Sequence, residues 1–370
     1  MKTVRRLLYR DIMGAVFFTA LAFLSLFFFI DFVDQLDEVG KEGYQLWQAV
    51  LTCLLAVPGH FYELFPIAVL IGSIYAMARL AQSSEFTILR TGGLGPGRAL
   101  SLLTVLGVIF SIATFVVGDY VAPVTERQSV LLGAQLRGGI KFGRAGAWLK
   151  DHRGSAGGER NYSISVGSAT AKGVLEGVRI FEFDGDGRLL TRVWAEHATV
   201  GDDAVWSLRD VDITRWGTSE DPKLQTVKED RLPTLSWPTS LTAKVVAAAV
   251  LPIGTMTTAE LFRYSKHLAS NEQAGQRYEI QFWKKAFYPF ACLVMVALAL
   301  PFAYLQVRSG GISFKVFGGI MLGISFVLLN NVAEHLGLLR NWTPWIVAAT
   351  PSLMYLLMSL GAFSWLVRYR

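Results

Sequence analysis

The sequence predicts an α-helical membrane protein: six transmembrane helices with an all-β domain inserted between the third and the fourth. Three observations predict it. Apolar runs long enough to cross a bilayer fill the first third and the last quarter of the 370 residues. Between them, short β-branched and aromatic stretches are separated by clusters of turn residues. The bulk composition agrees, with 52% hydrophobic and 17% charged residues and a mean hydropathy of +0.39, more apolar than a soluble chain of this length.

Lys2, Arg5, Arg6 and Arg10 precede the first run, Ile12 to Ile30, which is close to the roughly 20 residues a spanning helix needs. Ala20-Leu21-Ala22 resembles a signal-peptide processing site but falls inside the run, so the segment reads as a retained helix. The second run, from about Ala49 to Ala78, contains Pro58-Gly59 and Pro66, which predict a kinked or two-part helix with Glu63 in a re-entrant or interfacial elbow. A third run extends from Ala99 to about Val121. Apolar runs return at Ala286 to Leu305, Ile312 to Val332 and Trp345 to Val367.

Between the halves the period changes. Tyr162 to Val166, Val174 to Phe183, Leu189 to Ala195, Val205 to Leu208 and Val211 to Trp216 read as strands. Asp184-Gly185-Asp186-Gly187 supplies a hairpin turn; the further ligand positions of a calcium loop are absent. Short strands without intervening helices imply a β-sandwich, jelly roll or related fold. Thr257-Thr258-Ala259-Glu260 is a capping box that opens an amphipathic helix. The divisions are therefore 1–125 for three membrane helices, 126–256 for the β domain, and 257–370 for the linker helix and three more membrane helices.

The net charge of +6 does not indicate nucleic acid, because the basic residues flank apolar runs and form no cluster with interleaved aromatics. They orient the chain instead. A cytoplasmic N-terminus places Arg79, Arg90, Arg98, Arg308, Lys315, Arg368 and Arg370 inside, and sends the acidic Asp31 to Glu42 segment and the β domain outside.

The stretch from Gln82 to Gly93 is then cytoplasmic. Ser83 or Ser84 can cap a helix start, Glu85 complements its positive end, and Thr91-Gly92-Gly93 stops it. About two turns would show Phe86 and Leu89 on one face beside Arg90. The glycine-rich Gly92 to Ala99 segment has P-loop spacing, yet Arg98 and Ala99 stand where a lysine and a hydroxyl residue are required. The five histidines show no metal-ligand spacing, and Cys53 and Cys292 lie in apolar runs as core residues. No metal, cofactor or catalytic residue is expected. Phe27, Phe28, Phe29, Phe61 and Phe65 could line a lipid path or simply face lipid.

Phe32-Val33-Asp34-Gln35-Leu36, Ser84-Glu85 through Gly93, Val121-Ala122-Pro123 and Gly275 through Tyr278, set in a layout of three helices, β domain and three helices, resemble the LptF/LptG permeases of the lipopolysaccharide exporter. The resemblance covers essentially the whole chain and leans toward the LptG branch. It implies a non-catalytic permease half in the inner membrane, paired with LptF, driven by a dimer of the ATPase LptB that uses ATP and magnesium, and in contact with LptC. Lipopolysaccharide would pass from the membrane through periplasmic β-jelly-roll domains. The stretch at 83–91 becomes a coupling helix, with Ser84, Glu85 and Arg90 as polar contacts and Phe86 and Leu89 as an apolar wedge for LptB. Family members can carry a basic residue where this chain has Asp31, which turns attention to Lys41, Arg127 and Arg137 as partners for lipid phosphates or as interfacial anchors. The alternative reading is a membrane scaffold or receptor that presents a β domain without transport.

Overall fold

The structure, a computed structural model, describes residues 2–37, 39–41, 44–136, 140–141, 147–155, 158–169, 174–201, 205–217, 226–239, 241, 246, 252–270, 275–304 and 311–368. Helices α1 (Lys2–Leu36), α2 (Leu46–Gln82), α3 (Glu85–Thr91), α4 (Pro96–Val116) and α5 (Ala122–Leu136) precede strands β1 (Ile140–Lys141), β2 (Ala147–Ser155), β3 (Gly158–Val166), β4 (Ser168–Ala169), β5 (Val174–Phe183), β6 (Leu189–Val200), β7 (Val205–Gly217) and β8 (Thr226–Pro238). Helices α6 (Thr258–Ser270), α7 (Gln276–Tyr304), α8 (Ile312–Leu339) and α9 (Pro344–Arg368) follow. Among the described residues six helical segments are long and apolar enough to span a bilayer, and the antiparallel β domain is inserted between the third and the fourth. The predicted fold class is observed.

Two compact units emerge. One comprises 1–37, 49–125 and 276–370; the other comprises 38–48 and 126–275. In the helical unit, Leu8, Ile12, Val16 and Ala20 recur every four residues and bury one side of α1. They join the buried run Phe65 to Leu80 of α2 and Ala291 to Tyr304 of α7 in one core. Gly72 makes that closeness possible, since a Cβ there would lie 2.6 Å from the backbone of Val16. Small residues at helix contacts are how membrane helices gain packing without a hydrophobic drive between them.

Two expectations about the spanning helices are corrected. Helix α2 runs unbroken for 37 residues through Pro58 and Pro66, so Glu63 lies on a helix and not in an elbow. The Tyr288 hydroxyl donates to the Glu63 carbonyl at 2.5 Å, next to the Tyr62 carbonyl that Pro66 deprives of its usual donor. The third span does not end at Val121: a π-helical turn, Val117–Val121, leads directly into α5. Its Gly118 accepts the Tyr62 ring where any Cβ would come within 2.1 Å. A π turn inserts one residue and resets which face the helix presents.

The sheet is an antiparallel meander through β5, β6, β7 and β8, with β2 pairing β3 and β3 pairing β5. Its buried residues follow period two within each strand half, as in Tyr162, Ile164 and Val166. The phase then slips at aligned places from β3 and β4 through β5, β6 and β7. Buried neighbours are three apart at Val166 and Ala169, Leu175 and Val178, Ala195 and Ala198, and Leu208 and Val211. Between them, Gly167, Gly177, Glu196, Asp210 and Pro233 fall in one row across the sheet where ladder partners are skipped. Gly177 and Asp210 have φ of +61° and +52°. The strands thus bend along a common line, and both halves turn their apolar faces onto one core, the corner device of packed β layers. Trp206 lies fully buried in that core, with its indole N–H donating to the Leu241 carbonyl at 3.1 Å.

Candidate functional site

The polar stretch between the second and third spans folds as α3, seven residues long. Ser84 takes a left-handed φ of +61° and thereby reverses the chain after α2, while its carbonyl accepts from the Ile88 amide at 3.1 Å to start α3. The Ser83 hydroxyl donates back to the Leu80 carbonyl at 3.3 Å, closing α2 where a cap on α3 was expected. At the other end, Gly93 has φ of +97° and the Leu94 amide reaches the Leu89 carbonyl at 3.0 Å. That six-to-one bond around a left-handed glycine is a Schellman closure, and buried Leu94 supplies its usual apolar contact.

The faces of α3 differ from expectation. Phe86 is 4% exposed and meets Tyr304 edge to face, while Leu89 packs partly buried against the same core. Phe86 is therefore not an outward wedge, because it is already used to hold α3 to α7. The outward apolar residue is Ile88, 66% exposed, flanked by exposed Ser84, Glu85 and Thr87. The Arg90 side chain lies outside the described residues, as do Arg137, Arg308 and Arg370.

The candidates near the other ends of the spans divide. Phe27 lies 5.2 Å from the His60 ring, and Phe28 stacks on Phe32 at 6.4 Å. Phe61 stacks on Phe65 at 4.5 Å, and Phe65 meets Phe110 at 5.7 Å. Phe65 is buried in the helical core, so it lines no path in this conformation. Asp31 accepts from His60 Nε2 at 2.7 Å and ties α1 to α2. No spacing in the sequence links positions 31 and 60; only the helix pairing brings them together.

Within the second unit, Lys41 is exposed in a turn whose carbonyl accepts from the Tyr44 amide at 2.9 Å. Arg127 is not a free cation. Its Nη2 lies 3.2 Å and 3.3 Å from the two oxygens of Glu260 and 3.4 Å from the Thr255 carbonyl. Glu260 also completes the predicted capping box: the Thr257 amide donates to Oε2 at 2.8 Å, and the Glu260 amide donates to the Thr257 hydroxyl at 3.2 Å. Burial would raise the Glu260 carboxyl, but the Thr257 amide and Arg127 together hold it below its ordinary value.

Comparison with known proteins bears on the whole chain. It is 28% identical over 364 residues to the lipopolysaccharide export system permease protein LptG of Haemophilus influenzae, covering 96% of each chain. It is 28% identical over 354 residues to the protein of the same name in Escherichia coli strain K12, covering 95% of each. Residues 6–368 match the family described as lipopolysaccharide export system permease LptF/LptG. With six helices long and apolar enough to span a membrane, a β domain inserted in sequence between the third and fourth, and a match to residues 6–368, the chain belongs to the LptF/LptG permease family.

Proposed function

We propose that this chain is a permease subunit of an ABC transporter that extracts lipopolysaccharide from the inner membrane and passes it to a periplasmic bridge toward the outer membrane. The full-length family match carries this reading. In it, LptF is the sister permease, an LptB dimer hydrolyses ATP with magnesium, and LptC adds a single membrane helix. The N- and C-termini are cytoplasmic, the β domain is periplasmic, and this chain performs no catalysis. The failed P-loop at Gly92 to Ala99 supports a motor on another chain.

Helix α3 supports the docking role, since too short a helix to be stable alone is clamped at both ends and at Phe86, leaving Glu85 and Ile88 to meet a partner. Transport is tested by photocrosslinkers placed at Phe28 and Trp237 in the assembled complex. ATP-dependent lipopolysaccharide adducts at both positions are expected; adducts to protein alone would favour a scaffold. Docking is tested by Glu85→Ala and Arg90→Glu in the same complex, which should uncouple or release the ATPase. Unchanged assembly and export in both would remove the docking role.

A further inference from the structure

A cavity of about 450 Å³ opens between the first turns of α1, the end of α3 and the start of α4. Among the described residues its polar lining is Arg5, Arg98 and Ser101, its apolar lining includes Val4, Leu89 and Leu102, and no carboxylate lines it. The size falls in the range of small-ligand sites, about 300–1,000 Å³. Arg98 donates from Nη1 to the Gly93 carbonyl at 3.3 Å, one bond from a group with five donors. Among the described residues no carboxylate pairs with Arg5 or Arg98. Beside the cavity, the Tyr9 hydroxyl donates to the Leu102 carbonyl at 3.0 Å, so its α1 and α4 walls are fastened together.

Position in the chain decides what anion fits. Arg5 stands shortly before the apolar run that begins at Ile12, and Arg98 immediately before the run that begins at Ala99. Both guanidinium groups therefore sit at the border of polar and apolar chain, the depth of lipid phosphates. Planar guanidinium forks suit phosphate oxygens, and Val4, Leu89 and Leu102 suit the glycerol and first methylenes below them. We propose that this cavity binds the phosphodiester headgroup of an anionic membrane phospholipid, which buttresses α3 through Leu89 and the Schellman turn. The inference needs only the membrane fold and stands independently of the export role.

The test is lipid retention by the purified full chain, with whatever subunits copurify, read by native mass spectrometry after exchange with phosphatidylglycerol or phosphatidylcholine. Phosphatidylglycerol should be retained in preference. The Arg5→Gln/Arg98→Gln double variant should lose about thirtyfold in retention, from about fivefold per cation near a membrane surface, and the double lysine variant should recover part of it. Ser101→Phe, which keeps both charges but fills the cavity, should also expel the lipid, so a double variant that fails to fold does not end the test. Equal retention of phosphatidylcholine, wild-type retention by folded variants, or displacement of the lipid by millimolar inorganic phosphate alone would overturn the assignment, the last by giving the cavity to a soluble anion.

Discussion

Phe86 and Tyr304 meet edge to face, with ring centroids 5.1 Å apart and planes at 82°, and this pair fixes α3 to the end of α7. Truncating Phe86 to Ala removes a buried aromatic and should cost about 3–5 kcal/mol if the site cannot collapse. The outward Ile88 should behave oppositely: Ile88→Ala should leave stability within about 0.5 kcal/mol while lowering ATPase coupling. Thermal unfolding and coupled hydrolysis measured on both variants separate anchor from contact. A stable, uncoupled Phe86→Ala would reverse the assignment.

Gly72→Ala places a methyl 2.6 Å from the Val16 backbone, which no rotamer can relieve. Overpacking of this kind costs about 1–3 kcal/mol. A lower unfolding midpoint in detergent is expected, with Gly14→Ala, whose Cβ meets nothing within 4 Å, as the unaffected control on α1.

Glu260 makes the start of α6 acid-sensitive. Its folded carboxyl lies below the ordinary value, so it contributes in full above the unfolded value of about 4.3 and the contribution is lost as pH falls through the lower folded value. The protection factor of the Leu261 amide should therefore fall as pH drops below the unfolded value. Glu260→Gln should flatten that profile, weakening the cap at neutral pH by about 0.3–1 kcal/mol and leaving it unchanged in acid.

At the bend row of the sheet, Gly177→Val forces a β-branched side chain into a left-handed φ of +61° and should destabilise the β domain by about 1–2 kcal/mol. Asp210→Gly, at φ of +52°, should be neutral or stabilising by a few tenths of a kcal/mol. Chemical unfolding of the full chain, followed by the fluorescence of buried Trp206, reports both.

What the sequence disclosed depended on whether the signal was local. The start and stop of α3 were legible because Ser84 and Gly93 act on their own backbone. The destination of Phe86 was not, since spacing places it beside Leu89 but cannot show that Tyr304, far along the chain, meets its ring. Strands β2 and β8 escaped notice because Lys150 to Arg153 and Lys228 to Arg231 break the apolar alternation; their ladders come from the neighbours β3 and β7. Strand β7 read as two pieces at Arg209-Asp210, and that interruption is the bend itself. Polar Thr125 to Gln128 hid the continuation into α5, and the prolines of α2 suggested a break where the helix runs on through both.

The row from Gly167 to Pro233 has a mechanical consequence. Because several strands change direction at aligned positions, the domain is creased along one axis, like a sheet of paper folded once. Flexing confined to a single strand would shear its ladder on both sides, whereas rotation about the crease leaves the hydrogen bonds of each half untouched. Widening or narrowing of the β domain is thereby reduced to one shared degree of freedom. The residues that set its stiffness are those along the crease, not those on the surfaces that move.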